Sequence, residues 1–264
     1  MRSGWIGVAM TIVLLGSCSA TTGMTDTTRP PVESSDCPSG GEPMAEAKLY
    51  IEHNSTDADT GVHGLFGGDG WKLFCLLAPS GDVLLEVNPE GPLGELGLAD
   101  LFFESREPPN DEYPIAQLLE RFPAGSYAAA GIDTNGDSWV GSARFTHVIP
   151  AAPIITSPQL SDDEERIESV VAAGPLSVEW QPVTTGLSGE DVEITGFEVI
   201  ITSTDHEDPD GWSAPVFDIH VPPTSTSVTV PDGFLTGGAS YELEVLALES
   251  SGNQTITLGF FRVR

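Results

Sequence analysis

Basic side chains are scarce in this 264-residue chain: 10 Lys and Arg, with Lys48 and Lys72 the only lysines, face 40 Asp and Glu, a formal charge of -30 at pH 7. That balance excludes nucleic acid as a partner, because phosphate recognition needs a cationic face that releases counterions. It also excludes charge-driven adsorption to an anionic bilayer. The five histidines, His53, His63, His147, His206 and His220, show no His-Glu-x-x-His or other zinc spacing. No Gly-x-Ser-x-Gly elbow precedes a helix, and none of the cysteines has the setting of a nucleophile. Gly67-Gly68-Asp69-Gly70 lacks the lysine and helix start of a phosphate loop. Among 40 acids, no carboxylate pair stands out as a general acid and base. Short-period repeats and an Arg-Gly-Asp tripeptide are missing too. The expectation is a non-enzymatic protein that needs no cofactor.

What is present argues for a folded chain. Hydrophobic residues make up 39%, with eleven Phe and five Trp, too much core material for a disordered acidic protein. The length suits one or two domains.

Arg2 is the only charge before Asp26, and the apolar run 5–15 is too short to span a bilayer of about 30 Å. A positive start, a short apolar region and small residues form a secretory signal. Leu15-Gly16-Ser17-Cys18 resembles the lipobox of bacterial lipoproteins, whose cysteine is acylated and becomes the mature N-terminus. The alternative is an ordinary signal cleaved near Ser19-Ala20. The resemblance implies a signal peptide over 1–17 and a lipid bilayer as partner through acylated Cys18. It also implies a bacterial envelope location, the outer membrane where the source is Gram-negative. Acyl chains contribute about 0.8 kcal/mol per buried CH2, so more than one chain anchors stably. Cleavage there removes Arg2 and no acid, so the mature chain keeps 40 acidic against 9 basic side chains, a formal -31.

Residues 18–47 are rich in Ser, Thr, Pro and Gly and read as a flexible tether. If Cys18 carries lipid, Cys37 and Cys75 remain in an exported, oxidising context. They pair as a disulfide that staples the tether to the first domain, or stay as two free thiols.

Residues 48–149 read as a first β-sandwich with a short helix. Its runs are Lys48-Leu49-Tyr50-Ile51-Glu52, a hairpin of 71–77 and 83–87 about Pro79-Ser80-Gly81-Asp82, an apolar block at Leu98, Leu101, Phe102 and Phe103, and strands at 126–132 and 138–145. The helix is expected over 113–122, from the spacing of Ile115, Leu118, Leu119 and Phe122.

After a Pro/Ala linker, residues 150–264 show seven short runs with alternating faces, which implies a second sandwich. Trp180 in the second strand, Leu235 six residues before Tyr241, and Tyr241-Glu242-Leu243-Glu244-Val245-Leu246-Ala247 resemble a fibronectin type III domain. In that family the tyrosine closes the corner between strands five and six, and its hydroxyl bonds backbone upstream. The fold class is therefore all-β, two tandem β-sandwiches, the C-terminal one fibronectin type III-like. The whole chain also resembles bacterial exported proteins with a β domain before a type III module, a likeness that brings no activity with it.

Three oxygen side chains alternate in Asp133-Thr134-Asn135-Gly136-Asp137, a spacing suited to Ca2+. Ser138 and Arg144 occupy positions where an EF-hand needs Gly and Glu, so that motif fails. The competing reading of Asp133, Asn135 and Asp137 is a hairpin turn, since Asn-Gly is a strong turn dipeptide. Asp57, Asp59 and Asp69 would suit a cation or solvate a Gly-rich loop at Gly61, Gly64, Gly67, Gly68 and Gly70. Asp205-His206-Glu207-Asp208-Pro209-Asp210 reads as a solvated loop, with metal ligation through His206 the alternative. Asn54-Ser55-Thr56 and Asn253-Gln254-Thr255 fit a glycosylation sequon, but in a bacterial source they read as polar surface.

The acids spread through both domains, with 16 against 5 bases in 48–149 and 19 against 3 in 150–264, so no acidic tail accounts for the charge. Solubility and protected sheet edges, adaptation to high salt, and divalent-cation binding compete as causes. The leading function is a lipid-anchored, non-enzymatic envelope protein presenting its sandwiches to a protein or glycan. The alternative is a calcium-stabilised or carbohydrate-binding accessory to a separate secreted enzyme.

Overall fold

The computed structural model describes residues 37–206 and 215–264. The signal segment, Cys18 and the tether through residue 36 lie outside the described residues, as does 207–214 of the acidic loop.

The first half contains β1 (Glu42–Pro43), β2 (Glu46–Asn54), β3 (Asp59–Leu77), β4 (Val83–Val87), β5 (Leu98–Glu104), β6 (Gly125–Asp133) and β7 (Ser138–Phe145), with α1 (Gly91–Leu96) and α2 (Ile115–Arg121). β3 organises it. Its first part lies antiparallel between β2 and β5, its second between β4 and β6, so one strand of 19 residues pairs with four others. The changeover falls between Gly67 and Trp71, where the register shifts and Gly70 takes φ 90°. A Cβ on Gly68 would fall inside the Trp71 ring, so only glycine lets the strand turn over that indole. The expected solvated Gly-rich loop is thus a strand. Its bare positions are filled by neighbours, with Phe103 packed over Gly64. Trp71, Phe66, Phe74, Tyr127 and Phe145 form the core with Leu49, Ile51 and Leu76. The Tyr127 hydroxyl donates to Pro123 O at 3.0 Å and closes the corner after α2.

The expected tether ends before residue 47. Cys37 is disulfide-bonded to Cys75, β1 pairs in parallel with β7, and β2 already starts at Glu46. The reason is an outward apolar patch, Leu73, Cys75 and Ala130, against which Cys37 packs.

The second half contains β8 (Ile155–Ser157), β9 (Val170–Val171), β10 (Leu176–Trp180), β11 (Ile194–Ser203), β12 (Val216–Val221), β13 (Ser227–Val230), β14 (Ser240–Glu249) and β15 (Gln254–Val263). Sheet β13-β10-β8 faces sheet β12-β11-β14-β15 across a core of Val178, Trp180, Phe197, Val199, Ile201, Leu243, Val245 and Phe261. This is the strand plan of a fibronectin type III sandwich. Trp180 packs on Phe197 with ring centroids 5.4 Å apart, and Leu235 is buried. Thr236 N donates to the Tyr241 hydroxyl at 2.9 Å, which makes the corner that the resemblance implies.

The halves are not beads on a linker. β2 and β15 pair in parallel, Glu52 opposite Gln254 and Asn54 opposite Ile256, so one sheet path runs from β1 to β12. The connecting segment is held as well: Ala151 N bonds Thr185 O, and Leu187 N bonds Ile149 O, both at 2.9 Å.

Candidate functional site at the junction

The junction starts from the tight β14–β15 turn, where Gly252 takes φ 100° and Glu249 N bonds Asn253 O at 2.9 Å. That turn drives Asn253, 0% exposed, into the first sandwich. Its Oδ1 accepts from Ile51 N at 2.8 Å. Its Nδ2 donates to Val148 O at 2.8 Å and reaches Thr146 O at 3.2 Å and Oγ1 at 3.1 Å. Thr255 Oγ1 donates to Pro150 O at 2.7 Å, and Ser55 Oγ donates to Ile256 O at 2.6 Å. Both sequons therefore lie in the seam. Asn253 is a fully bonded latch where polar surface was expected, because burial of three backbone groups there demands a side chain that both donates and accepts.

Beside the latch lies a carboxylate-lined outer face. Alternation along β2 turns Leu49, Ile51 and His53 inward and leaves Tyr50 and Glu52 outward. His63 of β3 sits opposite Tyr50, yet it is only 4% exposed. Tyr50 and Phe102 wall it in, with ring centroids 5.3 and 6.0 Å away. Its Nε2 lies 3.0 Å from Glu107 Oε1, and its Nδ1 lies 3.8 Å from Glu52 Oε2. Glu107 reaches this position by lying over Gly61, where a Cβ would displace it. The Gln254 amide donates to Glu52 across the junction.

Burial sets the electrostatics. It pulls the His63 pKa down, but the Glu107 hydrogen bond and the charges of Glu52, Glu107 and Glu104 outweigh it, so the ring is raised overall. Glu52 is raised by burial and by Glu107 and Glu104, against the opposing pull of His63. Burial, with help from Glu107, Asp57 and Glu52, brings Asp59 to about 6. Burial and the charges of Glu52 and Glu198 raise the Tyr50 phenol.

The carboxyl face continues onto the second sandwich. Glu198 faces His220 Nε2 at 3.0 Å; burial and the adjacent Asp218 bring it to about 8. Glu244, half-buried and hydrogen-bonded to Glu242, rises to about 9.

A carboxyl that holds its proton more tightly in the fold than unfolded stabilises the fold at low pH. That contribution falls as pH rises from the ordinary 4.5 through about 8 and 9. We expect thermal stability to drop from pH 5 to pH 8 by several kcal/mol, with about 4 kcal/mol per carboxyl as the upper bound over three pH units. The drop should shrink in Glu198→Gln and Glu244→Gln, as read from melting curves across that range. An unchanged slope in both variants would assign the effect to general charge repulsion.

The structure disperses the other candidates. Asp133 is buried, its Oδ1 accepting from Asn135 N at 2.8 Å and Asp137 N at 3.0 Å, its Oδ2 from Trp139 Nε1 at 3.1 Å. Those hydrogen bonds hold its carboxyl below the ordinary value against desolvation. Asn135 and Asp137 are exposed, so the segment is built as a turn. Asp57 bonds the Asn54 amide at 2.9 Å, and Asp69 sits at the far bend of β3, away from Asp59. Asp205 accepts from Ser240 N at 2.6 Å and caps the start of β14, while His206 is exposed. Glu52, His63 and Glu107 were not legible as a set. His63 and Glu107 are 44 residues apart, and the usable signal was alternation through the glycines of β3.

No protein-family model matches the chain, and neither does any curated protein. Among solved structures, a "Myokine structure" is 22% identical with a TM-score of 0.28, over 43% of this chain and 96% of that one. The chicken CNTN1 FN1–FN3 domains are 12% identical with a TM-score of 0.31, over 84% of this chain and 65% of that one. A two-domain fibronectin type III segment of chicken tenascin is 8% identical with a TM-score of 0.29, over 83% of this chain and 98% of that one. These superpositions are loose, and the fold of the second sandwich rests on its own strand order and corner tyrosine.

Proposed function

We propose that the protein is exported, held on the bacterial envelope by acylated Cys18, and presents its two sandwiches as one stiff binding or scaffolding element for a protein or glycan partner. The observation that carries the reading is the merged junction. A module that presents a surface away from a membrane gains from fixed geometry between its halves, and β2–β15 pairing with the Asn253 latch supplies it. The anchor is supported by Leu15-Gly16-Ser17-Cys18 behind a positive start and a short apolar run. Export fits the disulfide, which oxidising compartments preserve. Cys18→Ser should move the protein from the membrane fraction to the soluble exported fraction and remove the lipid mass from the chain. Retention of the variant on membranes would overturn the anchor.

A further inference from the structure

Three groups of potential ligand side chains converge among the described residues, with ligand atoms within 4.8 Å of one another. In Cys37, Cys75 and Glu86 the sulfurs are already bonded to each other. Glu198, Asp218 and His220 lie on the open side of β11–β12, the His220 side chain 59% exposed. Glu52, His63 and Glu107 differ from both: an imidazole 5% exposed at its side chain stands between carboxylates that are 15% and 20% exposed. We propose that Glu52, His63 and Glu107 bind a divalent first-row metal ion of the zinc class, with water completing its coordination.

One imidazole nitrogen with two carboxylates is a mixed nitrogen and oxygen set, which suits zinc better than the all-oxygen shells of calcium or magnesium. The 3.0 Å hydrogen bond between Nε2 and Glu107 Oε1 is close to the spacing of about 3.4 Å between two ligands that each lie about 2.1 Å from one tetrahedral ion, so the ion replaces the shared proton with a small opening of the pair. The parts are placed by the fold: His63 by the β2–β3 register, Glu107 by the bare backbone of Gly61, and Glu52 by the Gln254 amide, an outer partner of the kind that steadies a ligating carboxylate. Among the described residues, no Lys or Arg forms an ion pair with Glu52, Glu104, Glu107 or Asp59. A second observation points the same way. Asp59 Oδ1 is buried without a hydrogen-bond partner, in the field of Glu107 and Glu52. Bound there, the ion would clamp the 105–110 loop onto β2 and β3 beside the junction. The inference does not depend on the anchor.

The test uses the full chain in detergent, stripped with EDTA and titrated calorimetrically with Zn2+, Ca2+ and Mg2+. One equivalent of Zn2+ should bind at least about tenfold more tightly than either alkaline-earth ion. Glu107→Gln and His63→Gln should each weaken Zn2+ about tenfold or more, and His220→Ala should leave it unchanged. Near-UV circular dichroism checks folding. If His63→Gln does not fold, Glu107→Gln decides, with the Co2+ absorption spectrum changing in that variant. Absence of stoichiometric Zn2+ binding to the folded wild type overturns the site, as does binding indifferent to Glu107→Gln or lost in His220→Ala.

Discussion

Asn253→Ala should cost about 4 kcal/mol and break the cooperativity between the two sandwiches. The truncation strips partners from Ile51 N and Val148 O, bonded at 2.8 Å, and weakens the support of Thr146. A buried backbone group left unpaired costs about 1–3 kcal/mol, so two such groups and a small void reach that figure. Asn253→Asp should do no better despite its shape, because a carboxylate cannot donate to the Thr146 and Val148 carbonyls. The wild type should unfold in one calorimetric transition, since β2 and β15 share a ladder and the latch crosses it. The variant should show two, the half carrying β15 melting apart from the half carrying β2. A single transition shifted by less than about 0.5 kcal/mol would mean that β2–β15 pairing alone couples the halves.

The elements legible in the sequence were those whose signal is local. β10 and β13 alternate cleanly, with Val178, Trp180, Val228 and Val230 facing inward, and the Tyr241 run gave β14 its register. The hairpin of β3 and β4 was visible from its turn, where Ala78 N bonds Asp82 O at 2.8 Å. The first part of β3 was hidden because glycine disfavours strands when neighbours are ignored. Gly61, Gly64 and Gly68 are strand residues only because Glu107, Phe103 and Trp71 occupy the space their side chains would take. The junction was hidden for a related reason. Nothing local distinguishes Asn253, polar on a turn, from surface; its burial comes from residues 105 and 202 positions away. The acidic composition was plain, whereas the subset of carboxyls that burial raises depended on which strand faces were covered. Gln254 and Glu52 met only through the parallel pairing of two domains.

Removing the Cys37–Cys75 bond, by reduction or as Cys37→Ser with Cys75→Ala, should lower stability by roughly 4 kcal/mol, the chain-entropy value for a separation of 38 residues. Alanine is the better replacement at Cys75 because the position is 0% exposed and a hydroxyl there would be buried. The loss is not only entropic. Without the bond, β1 keeps just the two register pairs Glu42–Trp139 and Pro43–Val140, too few to hold residues 37–43 on the sheet. Leu73 and Ala130 then lose the cover that Cys37 provides. Denaturant midpoints of the oxidised, reduced and double-variant protein measure the first effect, and protease cleavage within 37–45 measures the second. Equal midpoints with free thiols found in the exported protein would dismiss the bond as a structural element. Its position also bears on the proposed anchor. Any tension transmitted from Cys18 enters the fold at Cys75, on the strand that pairs with β2, β4, β5 and β6. With the disulfide intact, a pull must therefore act on β3 and the Trp71 core before it can peel β1. Without it, the same pull needs to break only the two register pairs of β1 with β7 before it reaches β2, so the unstapled protein should also be weaker under force.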